Sequence, residues 1–191
     1  MAAAGFDERE RPLRGSIESP SASALCARLE EEVNRAGRHG TALSCLLLDV
    51  EDLREVRRAH GPLLAEQALA YIELALRREL RRFDRVGRAS EGELLVLLPG
   101  ADSPRGEVVA RRVLARLRSI KLEAGGHRRP LRFAVGLAPW RAGMSAAALL
   151  ADLRSVGTRT ARDAVAGDTG GAHSPESLAG WRAATDGGAA S

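Results

Sequence analysis

Aromatic residues are scarce, with three Phe, two Trp and one Tyr among 191 positions. A core of ordinary size must therefore be built from Leu, Val and Ala. No run approaches eighteen uninterrupted apolar residues, so no membrane-spanning helix and no membrane partner are expected. Residues 1–10 are charged where a signal peptide needs an apolar stretch, which points to a cytoplasmic protein. Cysteine is limited to Cys26 and Cys45. One falls on a helix face and the other in an apolar run, and both read as small core residues rather than a disulfide. The four histidines (His39, His60, His127 and His173) are scattered, with no Cys or carboxylate at metal-ligand spacing, so neither a metal site nor a cofactor is expected. Lysine is almost absent. Lys121 is the only one, so the formal net charge of +4 is carried by arginine. Guanidinium groups suit planar, bidentate contacts to phosphates and guanine edges. Yet the arginines alternate with acidic residues, as over residues 28–38, which is the pattern of solvated helix faces, and nucleic acid is not an expected partner.

The chain divides into a flexible arm at 1–22, one domain at 23–166 and a disordered tail at 167–191. Helical periodicity covers residues 23–37, 53–59, 63–82, 103–119 and 145–164. Ser103-Pro104 offers an N-cap and a first-turn proline for the fourth of these. Residues 43–50 (Leu-Ser-Cys-Leu-Leu-Leu-Asp-Val) form an almost wholly apolar run, as expected of a strand buried on both faces. Residues 85–88 and 93–98 read as two strands around a tight turn at Ser90-Glu91-Gly92, and 131–138 as another strand. Gly125-Gly126 marks a turn, and residues 174–181 could form a capped turn that docks Trp181. Alternating strands and helices predict a single-domain α/β fold, a mixed central sheet flanked by helices.

The stretch Arg88-Ala89-Ser90-Glu91-Gly92-Glu93-Leu94 followed by Leu-Val-Leu-Leu-Pro-Gly resembles the signature hairpin of the GGDEF (diguanylate cyclase) family. Ser90-Glu91-Gly92-Glu93-Leu94 stands where that family has Gly-Gly-Asp/Glu-Glu-Phe. The strand ending in Asp49-Val50-Glu51-Asp52 and the run Phe133-Ala134-Val135-Gly136-Leu137-Ala138 resemble two further family strands. The resemblance covers residues 23–164 and implies a GGDEF/nucleotidyl-cyclase-like fold. It also makes Asp49 the match of the family's first metal ligand. Gly92 takes the place of the second metal carboxylate, and strand alternation is expected to turn Glu93 toward the other face. Arg57 stands in the position of a guanine-binding Asn and Glu66 in that of an Asp, and Ser90 and Glu91 replace two glycines that admit a phosphate. An arginine cannot accept the hydrogen bond an amide accepts. Lacking a second carboxylate, Asp49 and Asp52 read as a strand-end cap and a helix N-cap. The chain is therefore read as a degenerate member without cyclase activity, with no catalytic residues and no bound metal.

Arg81-Arg82-Phe83-Asp84 resembles the family's Arg-x-x-Asp product-binding motif, with five residues between Asp84 and Ser90 as the family spacing requires. The resemblance implies that Arg81 and Asp84 bind cyclic di-GMP, with Arg112, or failing that Arg111, completing the site. Arg88 matches a position that is commonly basic. Without the resemblance, Arg81 reads as a helix C-terminal arginine and Asp84 as a turn residue. The expected function is a cyclic di-GMP receptor acting on an unidentified signalling protein, with homodimerisation possible. The alternatives are a nucleotide-independent interaction or dimerisation module, and a GTP-binding domain with residual cyclase activity.

Overall fold

The computed structural model describes residues 21–124 and 127–167, with side chains described except at 124–128 and 157–167. The expected arm at 1–20, the tail beyond 167, the Gly125-Gly126 turn and the turn at Trp181 lie outside the described residues. The elements run α1 (Ala22–His39), β1 (Leu43–Val50), α2 (Leu53–His60), α3 (Pro62–Glu79), β2 (Arg85–Ser90), β3 (Glu93–Pro99), α4 (Ser103–Arg118), β4 (Lys121–Ala124), β5 (His127–Pro130), β6 (Phe133–Pro139) and α5 (Ala146–Gly167).

Four strands form the main sheet in the order β2-β3-β1-β6, and β4 with β5 makes a separate two-stranded ribbon. Every described pairing in the main sheet is antiparallel. The expectation of a mixed sheet is corrected here. The helical crossover from β1 does deliver β2 in the same direction as β1, but β3 is inserted between them and separates the two parallel strands.

β1 lies at the centre, and its alternation builds two cores. Leu46, Leu48 and Val50 join Leu94, Val96, Leu98 and Leu137 beneath α2, α3 and α4. Leu43, Cys45 and Leu47 join Leu95, Leu97 and Ala138 beneath α1 and α5. Helices thus cover both faces, which accounts for a nearly continuous apolar strand. The second core takes its helical share from Leu25, Leu29, Val33, Leu149 and Leu153. Scarcity of rings is met by leucine, as composition requires. Cys45 is fully buried, and burial together with the nearby Glu32 carboxylate pushes its thiol up to about 12, so it is an inert packing group. Cys26 is exposed and is not a core residue, because it lies one position outside the Leu25–Leu29 stripe.

Several boundaries differ from the periodic reading for local reasons. Ser21 caps α1 by accepting from the Ala24 N–H at 3.2 Å, so the helix starts inside the expected arm. The cap of α4 is Asp102 rather than Ser103, with Oδ1 accepting from the Arg105 N–H at 3.0 Å. α3 stops at Glu79, not at residue 82, because Leu80 turns extended (φ −97°, ψ 155°) and the next N–H is taken by a side chain. The β4–β5 ribbon has no counterpart in the sequence reading. Four-residue strands carry too little alternation to register as a period.

Candidate functional site

Asp49 stands at the carboxyl end of β1, directly opposite Glu93 on β3 and Ala134 on β6. Paired residues of antiparallel strands share a face, so Glu93 lies on the same side as Asp49, and the expectation that alternation turns it away is corrected. Alternation counted from Gly92 fails because Gly92 belongs to the turn, with φ +89°, and because the β2–β3 pairing shifts register between Arg88 and Ser90. The Glu93 carboxylate is bound in place. Oε2 accepts from Ser90 Oγ at 2.7 Å and from Arg154 Nη2 at 3.3 Å, tying the hairpin to α5.

A Cβ on Gly92 would stand 3.7 Å from Asp49 Oδ1 and 3.4 Å from Leu53 Cδ2. A side chain at position 92 would therefore start beside the Asp49 carboxylate, and glycine leaves none there. Among the described residues no group of three His, Cys, Asp or Glu side chains is placed to hold a metal ion. A single free carboxylate beside a tethered Glu93 does not fit a divalent cation that needs several oxygen ligands. The pKa of Asp49 is raised by the protein packed around its carboxyl and then by the Glu93 charge, with Arg54 opposing. Its charge is thus carried at a cost. Asp49→Asn is expected to raise the thermal midpoint at neutral pH. The ionised form is penalised only in the folded state, so the gain is full above the raised folded pKa. It vanishes below the ordinary aspartate range, where the acid is neutral folded and unfolded alike. Unfolding midpoints across pH 3–8 would read this directly; a drop at pH 7 would mean that the ionised carboxylate stabilises the fold.

Asp52 has a different job from the expected helix cap. It precedes α2 but makes no side-chain cap bond. Instead its carboxylate accepts from the Arg132 N–H at 2.8 Å, from Nε at 3.0 Å and from Nη2 at 2.8 Å, fixing the entry to β6 against α2. Burial alone would raise its pKa, but the Arg132 bonds and charge outweigh it and the net shift is downward.

Between α2, α3 and the β2–β3 turn, four charged residues meet. Arg57 Nη2 lies 3.1 Å from Glu66 Oε1, Arg57 Nε lies 3.0 Å from Glu91 Oε1, and Arg88 Nη1 lies 2.5 Å from Glu66 Oε2. Two cations and two anions thus form one neutral network. Both Glu66 oxygens are engaged, one by each arginine. Glu91 lines two adjoining cavities, one of about 400 Å3 with Glu66, Arg88 and Ser90, the other of about 230 Å3 with Asp49, Arg54 and Gly92. The sequence reading singled out all four residues separately but missed that they pair. The signal was available as complementary charge, since two basic and two acidic residues stand at these positions, two of them (Arg57 and Glu91) where the family resemblance implies neutral residues.

The far end of the 18-residue α3 lies roughly 20 Å along the helix from Glu66, at about 1.5 Å per residue. There the Arg81–Asp84 turn sits. Asp84 Oδ2 accepts from the Arg81 N–H at 2.8 Å, and the Asp84 N–H donates to the Arg81 carbonyl at 3.1 Å. Arg85 Nη1 braces the turn from outside through the carbonyls of Arg82 (2.8 Å) and Asp84 (3.0 Å). The Arg81 side chain is exposed and makes no hydrogen bond or ion pair among the described residues. Arg112 reaches across from α4, with Nη2 donating to the Glu79 carbonyl and Nε 3.6 Å from the Glu79 carboxylate. Its guanidinium is thereby held two residues before Arg81. Arg111, the stated substitute, is exposed on α4.

The family described as "Diguanylate cyclase, GGDEF domain" matches residues 20–156. The chain is 33% identical over 114 residues to the diguanylate cyclase DgcP of Pseudomonas aeruginosa, a match covering 59% of this chain and 16% of DgcP. The diguanylate cyclase DosC of Escherichia coli K12 is 28% identical over 95 residues, covering 50% of this chain and 21% of DosC. The chain thus spans about a fifth or less of these curated relatives. In structure it is similar to the diguanylate cyclase SiaD of Pseudomonas aeruginosa, solved with its activator SiaC, with a TM-score of 0.72 and 26% identity over 81% of this chain and 60% of SiaD. The GGDEF domain of DgcB from Caulobacter crescentus, solved with c-di-GMP, shares the fold with a TM-score of 0.70 at 14% identity, over 80% of this chain and 94% of that one. With 137 of its residues inside the family match, this chain belongs to the diguanylate cyclase GGDEF-domain family.

Proposed function

We propose that this domain binds cyclic di-GMP at the Arg81–Asp84 turn without making it, and passes the signal to a protein partner. The observation that carries this reading is the Arg57–Glu66–Arg88–Glu91 network. By family resemblance it lies where guanine and triphosphate would bind. A guanine there would need the oxygens that Glu66 has already given to two arginines, and leaving either arginine unpaired would cost its lost hydrogen bond. Glu91 adds an anion beside an incoming triphosphate, and position 92 has no carboxylate to share a metal with Asp49. Arg112, Arg81 and Asp84 meanwhile supply a fork donor, a second fork donor and a carboxylate acceptor around one turn, the set that guanine edges and phosphates require. The GGDEF domain of DgcB was solved with c-di-GMP, which supports ligand binding, and SiaD was solved with its activator SiaC, which supports association with a protein.

Two measurements on one preparation test it. Incubation with GTP and magnesium or manganese is expected to yield no cyclic di-GMP above a protein-free blank. Calorimetric titration of cyclic di-GMP is expected to give micromolar or tighter binding. Product that disappears in Asp49→Ala would establish a cyclase and overturn the inactive reading. Absence of heat from folded protein would overturn the receptor reading and leave an interaction module.

A further inference from the structure

Three large apolar side chains stand in solvent among the described residues, and one is an aromatic ring. Phe83 is 73% exposed and belongs to neither core. Its position is the reason to look further. It occupies the tip of the Arg81–Asp84 turn, whose backbone is closed by the two bonds between Arg81 and Asp84 and braced by Arg85 at the carbonyls on either side of it. In a chain with six aromatic residues, a ring held outward on a pre-organised turn makes no packing contribution to the fold. Around it are the exposed guanidinium of Arg81, the exposed side chain of Arg82, and Asp84. Asp84 Oδ2 is used by the turn, and Oδ1 has no hydrogen-bond partner among the described residues.

Each of these groups matches one part of a guanine nucleotide. A phenyl ring offers a face for a base, a free carboxylate oxygen accepts from the N–H edge that guanine has and adenine lacks, and guanidinium groups pair with phosphate. We propose that Phe83 is the base-stacking residue of this site, laying a guanine of the ligand on its ring while Asp84 takes the guanine edge and Arg81 the phosphate. The inference rests on the receptor reading and adds to it a residue that supplies ligand affinity by stacking, while the preference for guanine lies with Asp84. A rigid ring loses little conformational freedom on binding, so stacking adds affinity with little ordering cost.

Titration of cyclic di-GMP and cyclic di-AMP into wild type, Phe83→Ala, Phe83→Trp and Arg81→Ala tests it. Phe83→Ala is expected to bind cyclic di-GMP about tenfold more weakly, the loss of one base stack. Its thermal midpoint should stay at the wild-type value, because the ring packs against neither core. Phe83→Trp should bind at least as well as wild type, with emission of the introduced indole quenched at saturation. Cyclic di-AMP should bind more weakly than cyclic di-GMP to every variant. Wild-type affinity in Phe83→Ala, with the indole of Phe83→Trp indifferent to ligand and Arg81→Ala still defective, would overturn the stacking role and leave the receptor reading standing. No binding by wild type would overturn both.

Discussion

Gly106→Val is expected to lower stability by about 2–3 kcal/mol, a fall of roughly 5–10 °C in the thermal midpoint of a domain this size. Gly106 lies in the first turn and a half of α4 and is buried. A Cβ built there would come within 3.1 Å of Leu137 Cδ1 and within 3.2 Å of both Ser44 Cβ and Ser44 Oγ. These neighbours sit on β6 and on the central strand β1, so they cannot retreat together. Ser44 is also anchored, its Oγ donating to the Ala101 carbonyl at 3.0 Å and lying 3.3 Å from the Asp102 carbonyl at the helix entry. An ordinary helix gains up to about 1 kcal/mol when Gly becomes Ala. Here the contact opposes that gain, so Gly106→Ala should fall between wild type and Gly106→Val. Val108→Ala, two residues on and 55% exposed, is the control and should leave the midpoint unchanged. Urea and thermal unfolding give the order. An unchanged midpoint in Gly106→Val would mean that α4 rides freely on the sheet, and the register of the second half of the fold would need another explanation.

Much of this fold was legible from apolar pattern alone. β1 reads as buried on both faces because it is, with one core above and another below. The hairpin turn was legible because Gly92 adopts φ +89°, a conformation other residues avoid. What escaped was decided by contacts between distant parts of the chain. The sheet is antiparallel because β3 enters between β1 and β2, a choice no local window contains. Asp52 was legible as a carboxylate before a helix, but its partner Arg132 lies 80 positions away. Glu93 was assigned the wrong face because parity was counted through a turn and a register shift.

The candidate site followed the same rule. Single letters at Arg57, Glu66 and Glu91 read as separate losses, and Arg88 as a match to a commonly basic position. In space they are one arrangement. Each half-exposed pair contributes only about 0–1 kcal/mol, so the network matters less for stability than for what it occupies. Its charges cancel, both Glu66 oxygens are engaged, and Glu91 lines the cavity that also holds Asp49. Asp49 itself remains, its pKa raised first by burial and then by the Glu93 charge.

Arg81→Ala should weaken cyclic di-GMP binding by at least about a hundredfold, the loss expected when one partner of a charge-assisted contact is cut away. Stability should not change, because the exposed Arg81 guanidinium has no partner among the described residues to lose. Asp84 divides the ligand reading from the structural one more sharply. Its carboxylate already serves the turn through the Arg81 N–H, so Asp84→Ala removes both a turn bond and a ligand acceptor and should lower affinity and midpoint together. Asp84→Asn keeps an oxygen for the Arg81 N–H and so keeps the turn. It nevertheless places amide donors or a weaker, neutral acceptor against a guanine edge that donates. Under the receptor reading Asp84→Asn binds as poorly as Arg81→Ala while melting like wild type. Under the structural reading Asp84→Asn binds like wild type, and any loss in Asp84→Ala follows its midpoint. Calorimetry and thermal unfolding on the same three variants separate the two, since a motif kept only to end a helix has no reason to distinguish a carboxylate from its amide.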